Sequence, residues 1–216
     1  KIAQIKQVSL NNPFALLREL GGECAGAVSL YPQDMTPIFD DTLEEVSAEE
    51  LATLLNKLSQ TPLLTGEGIR LSLAGAQEKL ALTIFPDDEK YYKPSGKYIS
   101  TWILKPENRN FPNLIYNEYF CMKLAGLMGL NVAECKIRMF GSVTAYMTKR
   151  FDRQNTIQRI QQEDFCQGLG LSNKKYQRTE GGPSIKQCFQ FIHSNLANKA
   201  KDELHFLKSI AFNFLI

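Results

Sequence analysis

LSLAGAQEKLAL, from Leu71 to Leu82, and STWILKP, from Ser100 to Pro106, decide the fold between them. The first stretch alternates strand-forming residues, breaks at Ala74-Gly75-Ala76, and resumes as an apolar strand after Lys79. Small side chains at the break let a backbone approach a ligand closely, so the pattern predicts strand, tight loop, strand. The second stretch predicts another strand, in which the apolar run Trp102-Ile103-Leu104 ends on a lone Lys105 just before Pro106. Loop amides from Ala74 to Gln77 and a strand lysine reaching under them would suit phosphate oxygens. Taken alone, the loop also fits a plain hairpin turn, and Lys105 a strand end meeting water.

Outward from these stretches, residues 69–106 read as an antiparallel sheet. Asn113 to Gly129 predicts a helix with Ile115, Phe120, Leu124 and Leu127 near one face and Gly129 as its stop. AECKIRMF (133–140) and TAYMTKRF (144–151) predict two strands joined through Gly141-Ser142. Beyond Asp152 the pattern turns helical, in IQQEDFCQGLGL (160–171), in SIKQCFQFIHSNL (184–196) and from Lys199 onward. Towards the start, Asn12-Pro13 opens a short helix that Gly21-Gly22 ends, AGAVSLYP (25–32) reads as a strand, and Ser47 with Glu50 forms a capping box before Leu51, Leu54, Leu55 and Leu58. Thr61 to Gly68 reads as a flexible entry to the loop. The class is α+β, strand-rich over 1–151 and helical over 152–216.

Composition excludes several functions. At 216 residues, 44% hydrophobic and 22% charged, the chain is ordinary globular protein, and a net charge of +2 argues for neither nucleic acid nor an anionic membrane. No apolar run reaches the roughly 20 residues of a transmembrane helix. The five cysteines are scattered without a C-x-x-C pair, which supports neither a disulfide framework nor a zinc site. His193 and His205 lack metal-spaced partners, and Gln162, Glu163 and Asp164 read as the start of a helix with acids in its first turn. Gly181-Gly182-Pro183 is a turn by its chemistry.

SLAGAQEK (72–79), STWILKP (100–106), NEYFCMKLA (117–125), KRFDR (149–153), QEDFCQGLGL (162–171), KKY (174–176) followed by GGPS (181–184), and FNFLI (212–216) stand in the order seen in HipA-like serine/threonine kinases. From about Asn12 onward the chain resembles that family. The resemblance implies a protein-kinase-like fold, with a nucleotide-binding lobe over 1–151 and the start of a helical lobe over 152–216. It also implies ATP with Mg2+. Ala74, Gly75, Ala76, Gln77 and Lys105 would hold the phosphates, and Glu118 would orient the lysine. Met147 to Phe151 would be the hinge against adenine, with Phe151 either on the base or in the core. Lys149 stands where family members often carry Glu, which leaves main-chain contacts there and puts a side-chain contact in doubt.

By the same resemblance Ser72 is the autophosphorylation site whose modification switches the kinase off, against a plain reading as a strand serine. Glu78 and Lys79 are read as a solvated pair or as anchors of the loop. The chain opens without Met and stops at Ile216 inside an apolar run, so it is expected to be a piece of a longer kinase. The catalytic Asp-x-His-x-Lys-Asn loop and a metal-binding Asp would then lie beyond Ile216, leaving no catalytic or metal-binding residue here. The expected partners are a helix-turn-helix antitoxin of HipB type, through which alone DNA is met, and a protein substrate such as an aminoacyl-tRNA synthetase. The expected location is cytoplasmic. A non-catalytic module binding nucleotide or antitoxin, and a small-molecule kinase sharing the lobe, are the competing functions.

Overall fold

The alternation of STWILKP is realised as a central strand. In the computed structural model, which describes residues 12, 14, 15, 17, 22, 24–34, 39–58, 77–108, 110–171 and 177–216, strand β4 spans Trp102–Pro106. It lies in a four-stranded antiparallel sheet in the order β2 (Leu80–Leu82), β4, β6 (Val143–Lys149), β5 (Cys135–Phe140). A smaller ribbon pairs β1 (Glu44–Val46) with β3 (Tyr91–Lys93). The chain divides into two compact units, Lys1–Met122 with Ala133–Gln161, and Lys123–Val132 with Gln162–Ile216.

Side chains of successive strand residues point to opposite faces, and that alternation sorts the first unit. Trp102 and Leu104, with Ala145 and Met147 of β6, join a core with helix α1 (Ala48–Leu58), whose Leu51, Leu55 and Leu58 are buried. Each such leucine contributes about 1.5–3 kcal/mol on burial. Ser47 starts α1, its Oγ accepting from the Glu50 N–H at 3.1 Å. The other face carries Lys105, paired in register with Tyr146, which is paired in turn with Ile137. Helix α2 (Leu114–Leu127) covers that face through Ile115, Tyr119 and Met122.

Helix α2 ends as its sequence predicts. Gly129 adopts φ +77°, and the Leu130 N–H donates to the Ala125 carbonyl at 3.0 Å. Its buried stripe differs from the expected one, because Phe120 and Leu127 are 62% and 87% exposed while Ile115, Tyr119 and Met122 pack inward. AGAVSLYP is not a strand. The Gly26 N–H donates to Asp152 Oδ2 at 2.8 Å and the Ala27 N–H to Gln161 Oε1 at 3.0 Å, so side chains take amides that a neighbouring strand would need.

In the second unit IQQEDFCQGLGL yields only the short helix α3 (Phe165–Gly168). Gln162 and Glu163 precede it, and Asp164 is the N-cap, exchanging hydrogen bonds with Gln167. Ser184 and Gln187 cap α4 (Ile185–Asn195) in the same way, and α5 runs Lys199–Leu215. Phe165 meets Phe191 edge-on at 6.0 Å and Phe206 at 5.1 Å. Gly168 makes room for this, since a Cβ there would stand 2.6 Å from Phe191 Cζ. No helix among the described residues is long and apolar enough to cross a membrane.

The strand-rich unit runs past Phe151 to Gln161 because the turn after β6 is tied down by charge. Arg150 Nε and Nη2 donate to Asp152 Oδ1 and Oδ2 at 2.9 and 2.7 Å, and Arg153 Nη1 donates to Oδ2 at 2.8 Å. All three residues are 4–6% exposed. Asp152→Asn keeps the shape and leaves two guanidiniums without their counter-charge, so the expected loss of stability is about 3–5 kcal/mol. A lower urea midpoint at unchanged slope is the measurement that checks it.

Candidate functional site

Lys105 owes its place to strand parity. It directly follows Leu104, which is buried on the α1 face, so it points to the opposite face, beneath α2. Its Nζ lies 2.5 Å from Glu118 Oε1, with the two side chains only 19% and 28% exposed. Glu118 comes three residues after Ile115, the fully buried anchor of α2, so both point at the sheet. The Lys105 ammonium also stands 5.6 Å from the centre of the Tyr146 ring.

Lys79, read from sequence as a solvated partner of Glu78 or as an anchor of the loop, lies near enough to this pair to feel both of its charges as well as that of Glu78. It is half-buried, and burial, followed by the charge of Lys105, pushes its ammonium below the ordinary lysine value of 10.5; Glu118 and Glu78 act the other way. An arriving anion relieves that penalty. Nearby in sequence, Gln77 Nε2 is buried with no hydrogen-bond partner. A buried donor left unsatisfied costs about 1–3 kcal/mol, which a phosphate oxygen could offset. Ser72, Ala74, Gly75 and Ala76 lie outside the described residues. The signal that could have found Lys79 is that it opens the buried run Leu80–Leu82 just as Lys105 closes another.

The hinge residues are placed differently. Lys149 pairs in register with Trp102, on the sheet face opposite Lys105, and its Nζ lies 3.7 Å from Glu134. It lines a cavity of about 480 Å³ with Trp102, Tyr91, Lys136, Arg138 and Asn155. Its N–H donates to the Glu134 carbonyl at 2.9 Å, and the Arg150 N–H to the Thr101 carbonyl at 2.8 Å. Phe151 is 73% exposed and so is not core. His193 lies 2.9 Å from Glu203, and none of the five cysteines forms a disulfide. Among the described residues no group of three His, Cys, Asp or Glu side chains could hold a metal ion.

A mixed α and β unit with an antiparallel sheet, and a strand lysine held by a helix glutamate, define a kinase-like fold. The chain matches the HipA-like C-terminal domain over residues 71–216 and belongs to that family. It is 40% identical over 224 residues to the kinase-named protein Y4mE of Sinorhizobium fredii, covering 99% of this chain and 53% of that one. It is 35% identical over 196 residues to the serine/threonine-protein kinase toxin HipA of Shewanella oneidensis, covering 87% of this chain and 44% of that one. The structure superposes on HipA in the Shewanella oneidensis MR-1 complex of HipA, HipB and operator DNA, with a TM-score of 0.74 and 30% identity over 97% of this chain and 52% of that chain. The chain thus spans about half the length of the curated relatives it matches.

Lys79→Met tests the crowding of the two lysines. Burial disfavours the charged form, so the folded value lies below 10.5 and the unfolded chain holds its proton more tightly. The full penalty acts below the folded value and disappears above the unfolded one. The variant is expected to melt above the parent at pH 7, with the gap closing as pH rises towards 10.5, in paired thermal denaturation series.

Proposed function

We propose that this chain is the nucleotide-gripping part of an ATP-dependent serine/threonine kinase of HipA type. The observation that carries the proposal is the Lys105–Glu118 pair at 2.5 Å, joining the central strand to the helix above it. A lysine so held presents its charge at a fixed point, which is what positioning of a phosphoryl group requires. Lys105 and Lys79 supply charge to the phosphates, and Gln77 and the amides of Ala74, Gly75 and Ala76 supply hydrogen bonds. Glu118 keeps Lys105 from collapsing onto the phosphates or away from them. ATP, when bound, supplies the γ-phosphoryl group that passes to a protein hydroxyl.

Mg2+ is part of the proposal, but the described residues offer no acidic cluster for it. Neither the ligands of the metal nor the catalytic base is assigned to a described residue of this chain. Adenine is assigned to the main chain of the Met147–Phe151 hinge and to the exposed ring of Phe151. The side chain of Lys149, on the far face, is left out of this role. A HipB-like antitoxin is the proposed partner, with DNA met only through it, and an aminoacyl-tRNA synthetase is the proposed class of substrate. Growth inhibition in the cytoplasm is the corresponding biology.

Lys105→Ala tests the reading. Calorimetric titration of the 216-residue chain with ATP is expected to show affinity at least about tenfold weaker for the variant, a loss of ~1.4 kcal/mol, at unchanged melting temperature. Adenosine, which lacks phosphates, should bind parent and variant alike. Equal ATP affinity would return Lys105 to the role of a strand end.

Ser72 carries the regulatory part of the proposal. A phosphate there adds roughly −1.5 to −2 charge at pH 7 beside a site built for phosphates, and at ~4 Å and an effective dielectric near 20 each like pair costs about 4 kcal/mol. Ser72→Asp is expected to bind ATP poorly and Ser72→Ala normally. The same calorimetry decides it, and equal affinities would remove Ser72 as a switch.

A further inference from the structure

We infer that Tyr146 is the positioning residue that holds Lys105 against Glu118, an inference that rests on the reading of Lys105 as the phosphate lysine. Tyr146 is 1% exposed and sits directly opposite Lys105 in the β4–β6 ladder. Opposed residues on one face of an antiparallel pair have Cβ atoms about 4.5–5.5 Å apart, so the two side chains share one site. The ring belongs to the same buried cluster as Ile115, Tyr119 and Met122 of α2 and Cys135 and Ile137 of β5. It thus packs with the helix bearing Glu118 while facing, across the ladder, the strand residue Lys105. Its bulk sets how closely the helix rests on the sheet, and that spacing sets the lysine–glutamate distance.

The ring acts on the lysine as well as on the spacing. With Lys105 Nζ 5.6 Å from the ring centre, the ammonium lies over a face that attracts cations, by about 0.5–2 kcal/mol. Burial, and then the neighbouring Cys135 thiol, raise the phenol far above the ordinary tyrosine value of 10.0. The ring therefore stays neutral, and among the described residues it is Glu118 that supplies the opposing charge. Met147, the next residue along β6, faces α1 and has no part in this.

Tyr146→Phe keeps the ring, whereas Tyr146→Met removes it and, being long and adaptable, is among ring-free variants the better able to preserve packing. Timed acylation of lysine amines by acetic anhydride, read residue by residue by mass spectrometry, reports how firmly Lys105 is held and needs no nucleotide. In the folded 216-residue chain, Tyr146→Met is expected to speed Lys105 acylation and weaken ATP binding, each by about twofold to thirtyfold, the range that loss of the cation–π contact gives. Tyr146→Phe should leave both at the parental value, and Lys136 and Lys149, on the far face, should react at parental rates in every variant.

Unchanged Lys105 acylation in a folded Tyr146→Met protein would overturn the inference. So would a Tyr146→Phe protein as disturbed as Tyr146→Met, since the hydroxyl and not the ring would then be at work. A parent that binds no ATP would sink the nucleotide reading alone, because the acylation arm still decides Tyr146. Tyr146→Leu, read in the same way, serves if Tyr146→Met does not fold.

Discussion

The carboxylate of Asp152, buried between two guanidiniums, is the constraint on which the first unit depends. Buried ion pairs stabilise only when the remaining lone pairs and protons are answered, and here they are. Arg150, Arg153 and the Gly26 N–H all donate to the carboxylate. Arg150 Nη1 reaches Ser100 Oγ at 2.8 Å, Arg153 Nε reaches the Ser100 carbonyl at 3.1 Å, and Arg153 Nη2 reaches the Cys24 carbonyl at 2.9 Å. Burial alone would push the Asp152 carboxyl up, but Arg150, the Gly26 N–H and Arg153 outweigh it and hold the group below its ordinary value of 3.8. Its contribution to stability is therefore present above that value and is lost as pH falls through the lower, folded one.

Ser100 lies just before β4, so the network anchors the strand at one end while the β6 ladder holds it along its length. That fixes the register in which Lys105 faces Tyr146, with Met147 and Leu104 turned to the opposite core. The candidate site follows from this single alignment. A shift of one residue would send Lys105 into the α1 core and leave Glu118 without its cation. The two faces of the sheet thus differ. One joins the apolar core with α1, and the other packs Tyr146 against Ile115, Tyr119 and Met122 of α2, with the Lys105–Glu118 pair on the same face.

The residues most readable from sequence were those whose local pattern and tertiary role agree. Lys105 ends an apolar run and Glu118 lies in the helix that follows, and the structure joins them. Lys79 escaped because a charged residue next to Glu78 reads as solvated, and only the fold brings it beside Lys105. Helix α2 carries large apolar residues around most of its circumference, so periodicity could not choose between Phe120 and Tyr119 as its inward residue. AGAVSLYP has strand composition, but its amides are taken by Asp152 and Gln161, more than a hundred residues away in sequence, which no local reading can see. The face of Lys149, by contrast, could have been counted from Tyr146 by the period of two.

The nucleotide is proposed to bind on the α2 side of the sheet and not in the cavity on its far side. Affinity labelling with 5′-fluorosulfonylbenzoyl adenosine tests it most directly. Its sulfonyl group forms a sulfonamide with a lysine amine near the phosphate subsite, releasing fluoride and a proton. Peptide mapping of the labelled chain is expected to find the adduct on Lys105 or Lys79, with protection by excess ATP. An ATP-protected adduct on Lys149 or Lys136 instead, in the wall of the opposite cavity, would contradict the account.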